Sequence, residues 1–438
     1  MRRKRELAGV MNLALTRLAL SLNFSATFFN FCRPNWHQIF CMKSLRLAFS
    51  LGIFFAGLLQ AQEERQAPPT EIPDFSNLDE YIYVPKSTLH FGFRNISGPK
   101  TSFSGKGKLA PEDKSGSVTG TNELRSYHDG SVAPDGRTTV SETGDGLSVS
   151  FQVPNDGKTN TWAYSSDKQL TSDGYMTFHN YSAQIIDTQI RSLNAGRSSG
   201  LELSVAYDMG KAFKRFDWSL IAGVSLNDIA SSMNDKVAAR LTTVTDTYNL
   251  FGQLPPSAPY SAPSSISSSV TNTDGTTSTD TADNTTLLSN KPLDRTATTT
   301  TDSTSVNNRW KLKGAYFTMR AGPSLTLQLT TRLKASVSAG LAMIYAGSNY
   351  SVVESFQPDT GAEIKETVTD ETTKFRLGYY ADATLQFDAT ERTGFYVGAV
   401  YQATGSYDQA IATANANYVS KIDLNNLNGL RAGMTFRF

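Results

Sequence analysis

From residue 86 onward, apolar and polar positions alternate with a period of two, in runs of about ten residues or more. A tilted strand needs about 9–11 residues to cross a hydrocarbon layer, so these runs are of spanning length. The clearest run sets Phe375, Leu377, Tyr379, Ala381, Ala383, Leu385 and Phe387 against Lys374, Arg376, Gly378, Tyr380, Asp382, Thr384 and Gln386. Another sets Phe216, Trp218, Leu220, Ala222, Val224 and Leu226 against Asp217, Ser219, Gly223, Ser225 and Asn227, with Ile221 breaking the polar face. The same rule predicts eight strands, at 87–95, 200–209, 214–227, 313–328, 331–346, 374–388, 393–405 and 428–438. A soluble sandwich also alternates, but its strands run to about five or six residues and both inner faces are apolar. Here the second face is small, polar and rich in glycine. The fold class this predicts is all-β, a transmembrane antiparallel up-and-down β-barrel of eight strands. A ten-strand version would add 147–153 and 159–165, both short for a crossing.

The predicted connections alternate in length. Those at 209–214, 329–330 and 389–392 are short, whereas 96–199, 228–309, 347–373 and 406–427 are long. Short periplasmic turns and long external loops are the usual asymmetry of such barrels, and an even count leaves both termini in the periplasm. Tyr207, Phe216, Trp218, Phe387, Phe395, Phe436 and Phe438 then fall near the periplasmic rim, and Phe317, Tyr345, Phe375 and Tyr401 toward the outer one. Aromatic rings favour such interfaces. The loop of 228–309 carries Pro255, Pro256 and a Ser/Thr/Asn tract from Ser264 to Ser305, and is expected to be mobile. The loop of 347–373 is acidic, with Glu354, Asp359, Glu363, Glu366, Asp370 and Glu371 against Lys365. It reads as a solvated surface, with divalent-cation binding near lipid phosphates as the functional alternative.

Ahead of the strands, Met42 opens a segment with the layout of a signal peptide. Lys43 and Arg46 give a basic start, Leu47 to Leu59 an apolar stretch, and Ala61 a small residue before Gln62. Residues 1–41 read as a gene-start artefact or an extended basic region removed with the leader, and 62–86 as a proline-containing periplasmic arm. Both cysteines, Cys32 and Cys41, precede that segment, so the expected mature chain has no thiol. Charge is nearly balanced, with 41 Lys and Arg against 40 Asp and Glu, which offers no basic stripe for nucleic acid.

The last strand is the most specific motif. Leu430, Ala432, Met434, Phe436 and Phe438 alternate with Arg431, Gly433, Thr435 and Arg437, and the sequence ends on phenylalanine. This resembles the C-terminal signal of bacterial outer-membrane proteins, and the chain as a whole is similar to the small OmpA/OmpX-type barrels over 87–438. The resemblance implies passage through the secretion translocon, recognition of Phe436 and Phe438 by the barrel-assembly machinery, and pairing of the last strand with the first. It also implies residence in the outer membrane among lipids that include lipopolysaccharide. The first two loops are far longer than in that class, so surface roles known for it transfer poorly. No peptidoglycan-binding domain is expected after the barrel.

Candidate chemistry is sparse. Beyond the leader, only His90, His128 and His179 remain, and no nucleotide loop, metal-binding His pair or nucleophile elbow is present. Tyr127-His128-Asp129-Gly130 reads as a polar turn as readily as a catalytic group. No cofactor, metal or catalytic residue is expected. The inward phase of five strands instead collects Arg94, Glu202, Arg320, Asp382 and Arg431 at similar depth. An eight-stranded lumen is filled by side chains, so these charges are expected to pair as a plug, with a narrow anion-preferring path as the alternative. The leading expectation is a non-enzymatic surface protein presenting long loops for adhesion, interaction or envelope integrity. A small pore and a lipid-modifying enzyme are the alternatives, and the oligomeric state is not legible.

Overall fold

The computed structural model describes residues 85–438, apart from 122, 138, 143–148, 153–154, 195, 214, 263–266, 272–276 and 282–285. The segment expected as a leader, the residues before it, both cysteines and the segment expected as an arm, up to residue 84, lie outside the described residues. Thirteen strands form the main sheet. They are β1 (Ser87–Ser97), β2 (Lys100–Leu109), β3 (Tyr175–Ile185), β4 (Arg191–Asn194), β5 (Arg197–Phe213), β6 (Phe216–Asn249) and β7 (Asp294–Gln328). The remainder are β8 (Leu333–Phe356), β9 (Ile364–Asp388), β10 (Thr393–Ala403), β11 (Ser406–Ala412), β12 (Ala416–Asp423) and β13 (Leu427–Arg437).

Eight of these strands close into a ring. β1 pairs with β5, and antiparallel pairing continues through β6, β7, β8, β9 and β10 to β13, which returns to β1. The seam is sealed by Ser87 and Phe438, whose backbones exchange two hydrogen bonds of 3.1 and 3.0 Å. The described parts of the segments considered for a ten-strand version stay out of the ring. Val149–Gln152 pairs with Thr139–Glu142, and Trp162–Tyr164 pairs with two short strands at the far end.

On the outer wall, Phe91, Phe93, Leu201, Leu203, Leu220, Leu226, Leu341, Leu377, Leu385, Val397, Leu430 and Met434 are all exposed, the signature of a lipid-facing belt. Along β9 the belt stops abruptly. The outward positions from Phe375 to Phe387 are apolar or aromatic, whereas Lys365, Thr367, Thr369, Glu371 and Thr373 continue the same exposed phase with polar side chains. Interior positions change in the opposite sense. On β6, Ser225 and Asn227 give way to Ile229 and then Val237 and Ala239, all buried. The period-two rule therefore persists past the membrane while its polarity inverts.

This inversion corrects the loop expectation. Much of 228–309 and 347–373 is strand, because β6 runs to Asn249, β7 starts at Asp294, β8 reaches Phe356 and β9 starts at Ile364. Val306, Trp310 and Leu312 on β7, with Tyr350, Val352 and Phe356 on β8, supply the buried apolar surface that offsets ordering entropy. Past the membrane, β3 replaces β5 beside β6, β2 pairs with β3 and β12, and β12 pairs with β11. β11 then stands against β9, where Arg376 Nε donates to Ser406 O at 2.9 Å and Gln409 Nε2 to Asp370 O at 2.8 Å. Two barrels are thus stacked end to end, sharing β6 to β9: one polar inside and apolar outside, the other the reverse.

The lipid-facing assignment has a measurable consequence. Ala381 lies opposite Ala339 and Tyr401 in mid-belt, and Trp218 lies near the short-turn rim. Ala381→Arg is expected to cost about 2–4 kcal/mol and Trp218→Arg only about 0–1 kcal/mol. Urea titrations in lipid vesicles giving equal losses would refute the assigned depths.

Candidate functional site

The inward phase of the membrane ring brings all five sequence-identified lumen residues together. Arg320 Nη1 and Arg431 Nη2 contact the two oxygens of Asp382 at 2.6 and 2.7 Å, and Arg320 Nη2 and Arg431 Nη1 share Glu202 Oε1 at 2.7 and 2.6 Å. Each carboxylate therefore bridges the same two guanidiniums. Exposures between 1% and 7% place the set out of bulk water, where each charge requires a partner.

Arg94 is the outlier. Its Nε is 3.9 Å from Glu202 Oε2, and its other nitrogens turn to neutral acceptors, Ser225 Oγ and Gln402 Oε1. Three guanidiniums against two carboxylates leave one positive charge in excess, and the geometry assigns that excess to Arg94. Thr384 Oγ1 accepts from Arg431, while the Tyr380 and Tyr396 rings lie 5.2 and 5.6 Å from the Arg320 and Arg431 guanidinium carbons. His90 meets Tyr396 edge-on at 5.5 Å. Gly92 makes room for this packing, since a Cβ there would collide with the Tyr396 hydroxyl. Ser225, Thr384, Tyr380, Tyr396 and Gln402 were missed from sequence, although their inward phase was readable. Small polar residues and tyrosines simply carry less signal than charges.

Below the network, toward the short turns, a polar cavity of about 120 Å³ lies among His90, Asp208, Asp217, Lys334, Gln386 and Arg437. Above it, past buried Asn227, Thr318 and Gln402, the filling becomes largely apolar. Tyr316 lies two inward positions above Arg320 and Ile96 one above Arg94, both fully buried. They begin a continuous cluster that passes through Ile229, Ile344, Val400 and Leu427 to Trp310, Tyr350 and Tyr418 in the distal barrel.

Phe436 and Phe438 both point outward, at 38% and 45% exposure, so they face lipid as the motif implies. Phe436 lies opposite Leu89 on β1 and Thr393 on β10.

A second polar cluster lies in the distal barrel. Buried Asp129 accepts from the His179 backbone N–H at 2.8 Å, from His179 Nδ1 at 2.5 Å and from Thr360 Oγ1 at 2.8 Å. Tyr181 Oη reaches Thr360 Oγ1 at 2.9 Å, and His128 Nδ1 accepts the Tyr181 N–H at 3.1 Å. This ties the turn at 128–129, β3 and the β8–β9 turn to one carboxylate. A nucleophile would be needed at His179 Nε2, yet the Thr360 hydroxyl is on the Nδ1 side and donates to Asp129. The arrangement is that of a clasp. Sequence left His128 and Asp129 open between a polar turn and a catalytic group, and nothing local to Thr360 marked it as their partner.

Burial holds the His128 imidazole below its usual value of 6.5, despite the opposing pull of Asn180 and Asp129. The unfolded segment therefore takes up a proton before the folded one does. The contribution of His128 is fully present above the unfolded value and is lost as pH falls through the folded one. Protease sensitivity of the distal barrel is expected to rise between about pH 7 and 5, and to rise less in His128→Gln. An identical pH response in the variant would refute this origin.

Two members of the acidic run at 354–371 are structural as well, while Asp359, Glu363 and Glu371 are exposed. Glu354 is buried against the Tyr418 hydroxyl, with its carboxyl pushed above the usual range by burial, and Glu366 accepts the Ala110 N–H at 2.8 Å. Among the described residues no group of three or more His, Cys, Asp and Glu side chains is arranged to hold a metal ion.

No protein-family model matches the chain, and no curated protein matches its sequence. Among solved structures, it is similar to the outer-membrane protease OmpT from Escherichia coli, at 9% identity over 80% of this chain and 96% of that one, with a TM-score of 0.24. The attachment invasion locus protein Ail of Yersinia pestis matches at 10% identity over 60% of this chain and 93% of that one, with a TM-score of 0.18. A Pseudomonas aeruginosa FadL homologue matches at 8% identity over 81% and 90%, with a TM-score of 0.17. At these scores the reading of this chain as an outer-membrane β-barrel rests on its own closed ring, apolar belt and terminal strand.

Proposed function

We propose that the protein is a non-enzymatic surface protein of the bacterial outer membrane, a sealed barrel that holds a structured β-domain outside the cell for adhesion, interaction or envelope integrity. The observation that carries this is the filling of both barrels. An ion-paired layer occupies the lumen, and an apolar core stands directly over it. A solute path would have to break both. The short turns face the periplasm in this reading, and the distal barrel faces outward.

Two measurements test it together. Purified protein in planar bilayers is expected to give no steady single-channel currents. A peptide tag inserted at Asp359 in the β8–β9 turn is expected to be labelled on intact cells. Stable conductance would favour the pore, and labelling only after lysis would reverse the orientation.

A further inference from the structure

We propose that the outward face of β7, just above the lipid belt, binds the phosphate groups of the outer leaflet's glycolipid. The inference rests on the orientation proposed above, with the distal barrel outside.

The outward phase of β7 runs Leu327, Leu325, Pro323, Ala321, Met319, Phe317 and Ala315, all apolar. The next three outward positions are Lys313, Lys311 and Arg309, every one a cation. Successive outward residues on a strand are about 6.6 Å apart, so the ladder rises from the edge of the hydrocarbon through the depth of a headgroup layer. Its flanks are neutral and short. In register, Lys313, Lys311 and Arg309 face Ala230, Ser232 and Asn234 on β6, and Asn349, Ser351 and Val353 on β8. The next outward residue on β6, Lys236, extends the positive surface beside Arg309.

None of the three cations enters an ion pair or hydrogen bond among the described residues. The nearest carboxylates by register are already engaged: Asp235, opposite Asn308, pairs with Arg191 at 2.5 Å, and Asp228, opposite Ala315, accepts the Ser198 hydroxyl at 2.6 Å. By contrast, Arg197 donates to Asn95 at 3.3 Å, and Arg295 pairs with Asp246 at 2.6 Å. Three unpaired cations in one vertical row are costly by mutual repulsion unless an anion lies against them. The layer they face in the proposed orientation is rich in phosphate esters. Lys313 is placed to meet phosphate nearest the acyl chains, and the Arg309 guanidinium can take a second phosphate in a bidentate contact.

The test uses the full-length folded protein in neutral detergent, titrated with fluorescent diphosphorylated lipid A. The variant is Arg309→Gln, Lys311→Gln and Lys313→Gln together. Since these side chains point outward and are unpartnered, folding should survive, as heat-modifiability will report. At about fivefold per cation, the variant is expected to bind roughly a hundredfold more weakly and with a shallower salt dependence. A control variant neutralising Lys106, Lys108 and Lys365, nearer the loop tips, should bind as the wild type does. Dephosphorylated lipid A should bind weakly to all three proteins.

Equal affinity of the ladder variant and the wild type would overturn the proposal, as would wild-type binding that ignores the phosphates. Competition by inorganic pyrophosphate at equal concentration would also overturn it, moving the site from lipid to free anion. Trypsin accessibility of the distal barrel on intact cells reports the orientation separately, so loss of that reading would not be mistaken for loss of the site.

Discussion

Replacing Glu202 with alanine is expected to destabilise the barrel by about 3–5 kcal/mol, the largest loss from any single change in the lumen. Its Oε1 contacts both Arg320 and Arg431, and its Oε2 is the only carboxylate oxygen near Arg94 among the described residues. Without it, three desolvated guanidiniums would share Asp382 alone. Asp382→Ala should cost less, because Arg94 keeps its contact to Glu202. The pair Glu202→Ala with Arg431→Ala should cost less than the sum of the two single changes, since one stranded charge is then removed with its partner. Arg94→Met should be the mildest of the arginine changes, as it removes the excess charge from the layer. The measurement is a double-mutant cycle on urea unfolding in vesicles. Additive energies would mean that the charges act independently, as they would if water stood between them, and the sealed lumen would have to be abandoned.

Deleting Phe438 should abolish most of the folded, heat-modifiable protein in cells, a larger loss than its contacts alone explain. The terminal residue supplies both backbone bonds to Ser87 that close the seam and an outward ring at the membrane rim. Phe436→Asp should act similarly, by placing a charge on the lipid face and breaking the terminal apolar alternation. Comparing refolding of purified chain into vesicles with assembly in cells separates the two roles. A variant that refolds in vesicles but fails in cells would show the ending acting as a recognition signal. Normal assembly after the deletion would refute both roles.

The membrane ring was legible from sequence because two environments of fixed thickness impose one pattern. Outward positions such as Leu377 and Leu385 must be apolar, and inward ones such as Asp382 need not be. The lumen charges were legible for a related reason, since a charged residue in a mid-belt inward phase has few places to go. The distal barrel was much harder to read. Its strands keep the same period, but their apolar side chains, including Ile229, Val306 and Tyr350, point inward while threonine, asparagine and lysine point out. A tract such as 294–301 therefore looks like linker until its partner β6 is known. The Asp129 clasp was illegible because it joins residues from three distant segments, and each, taken alone, has an ordinary explanation in a turn or strand.

Four strands run without a break from the membrane ring into the distal barrel. From Asp228 to Asn249, β6 alone continues for 22 residues beyond its lipid-facing part. At about 3.3 Å per residue and a tilt near 40°, that lifts its end roughly 50–60 Å above the hydrocarbon. Because those residues are already in register with β7 and β3, the far surface is held at a fixed height and azimuth by the wall of the barrel itself. A partner docking there would meet a pre-organised face, with little loop ordering to set against its binding energy. Lateral crowding in the membrane would then be felt directly at the tip, since tilting the ring by a given angle swings the whole distal barrel through the same angle.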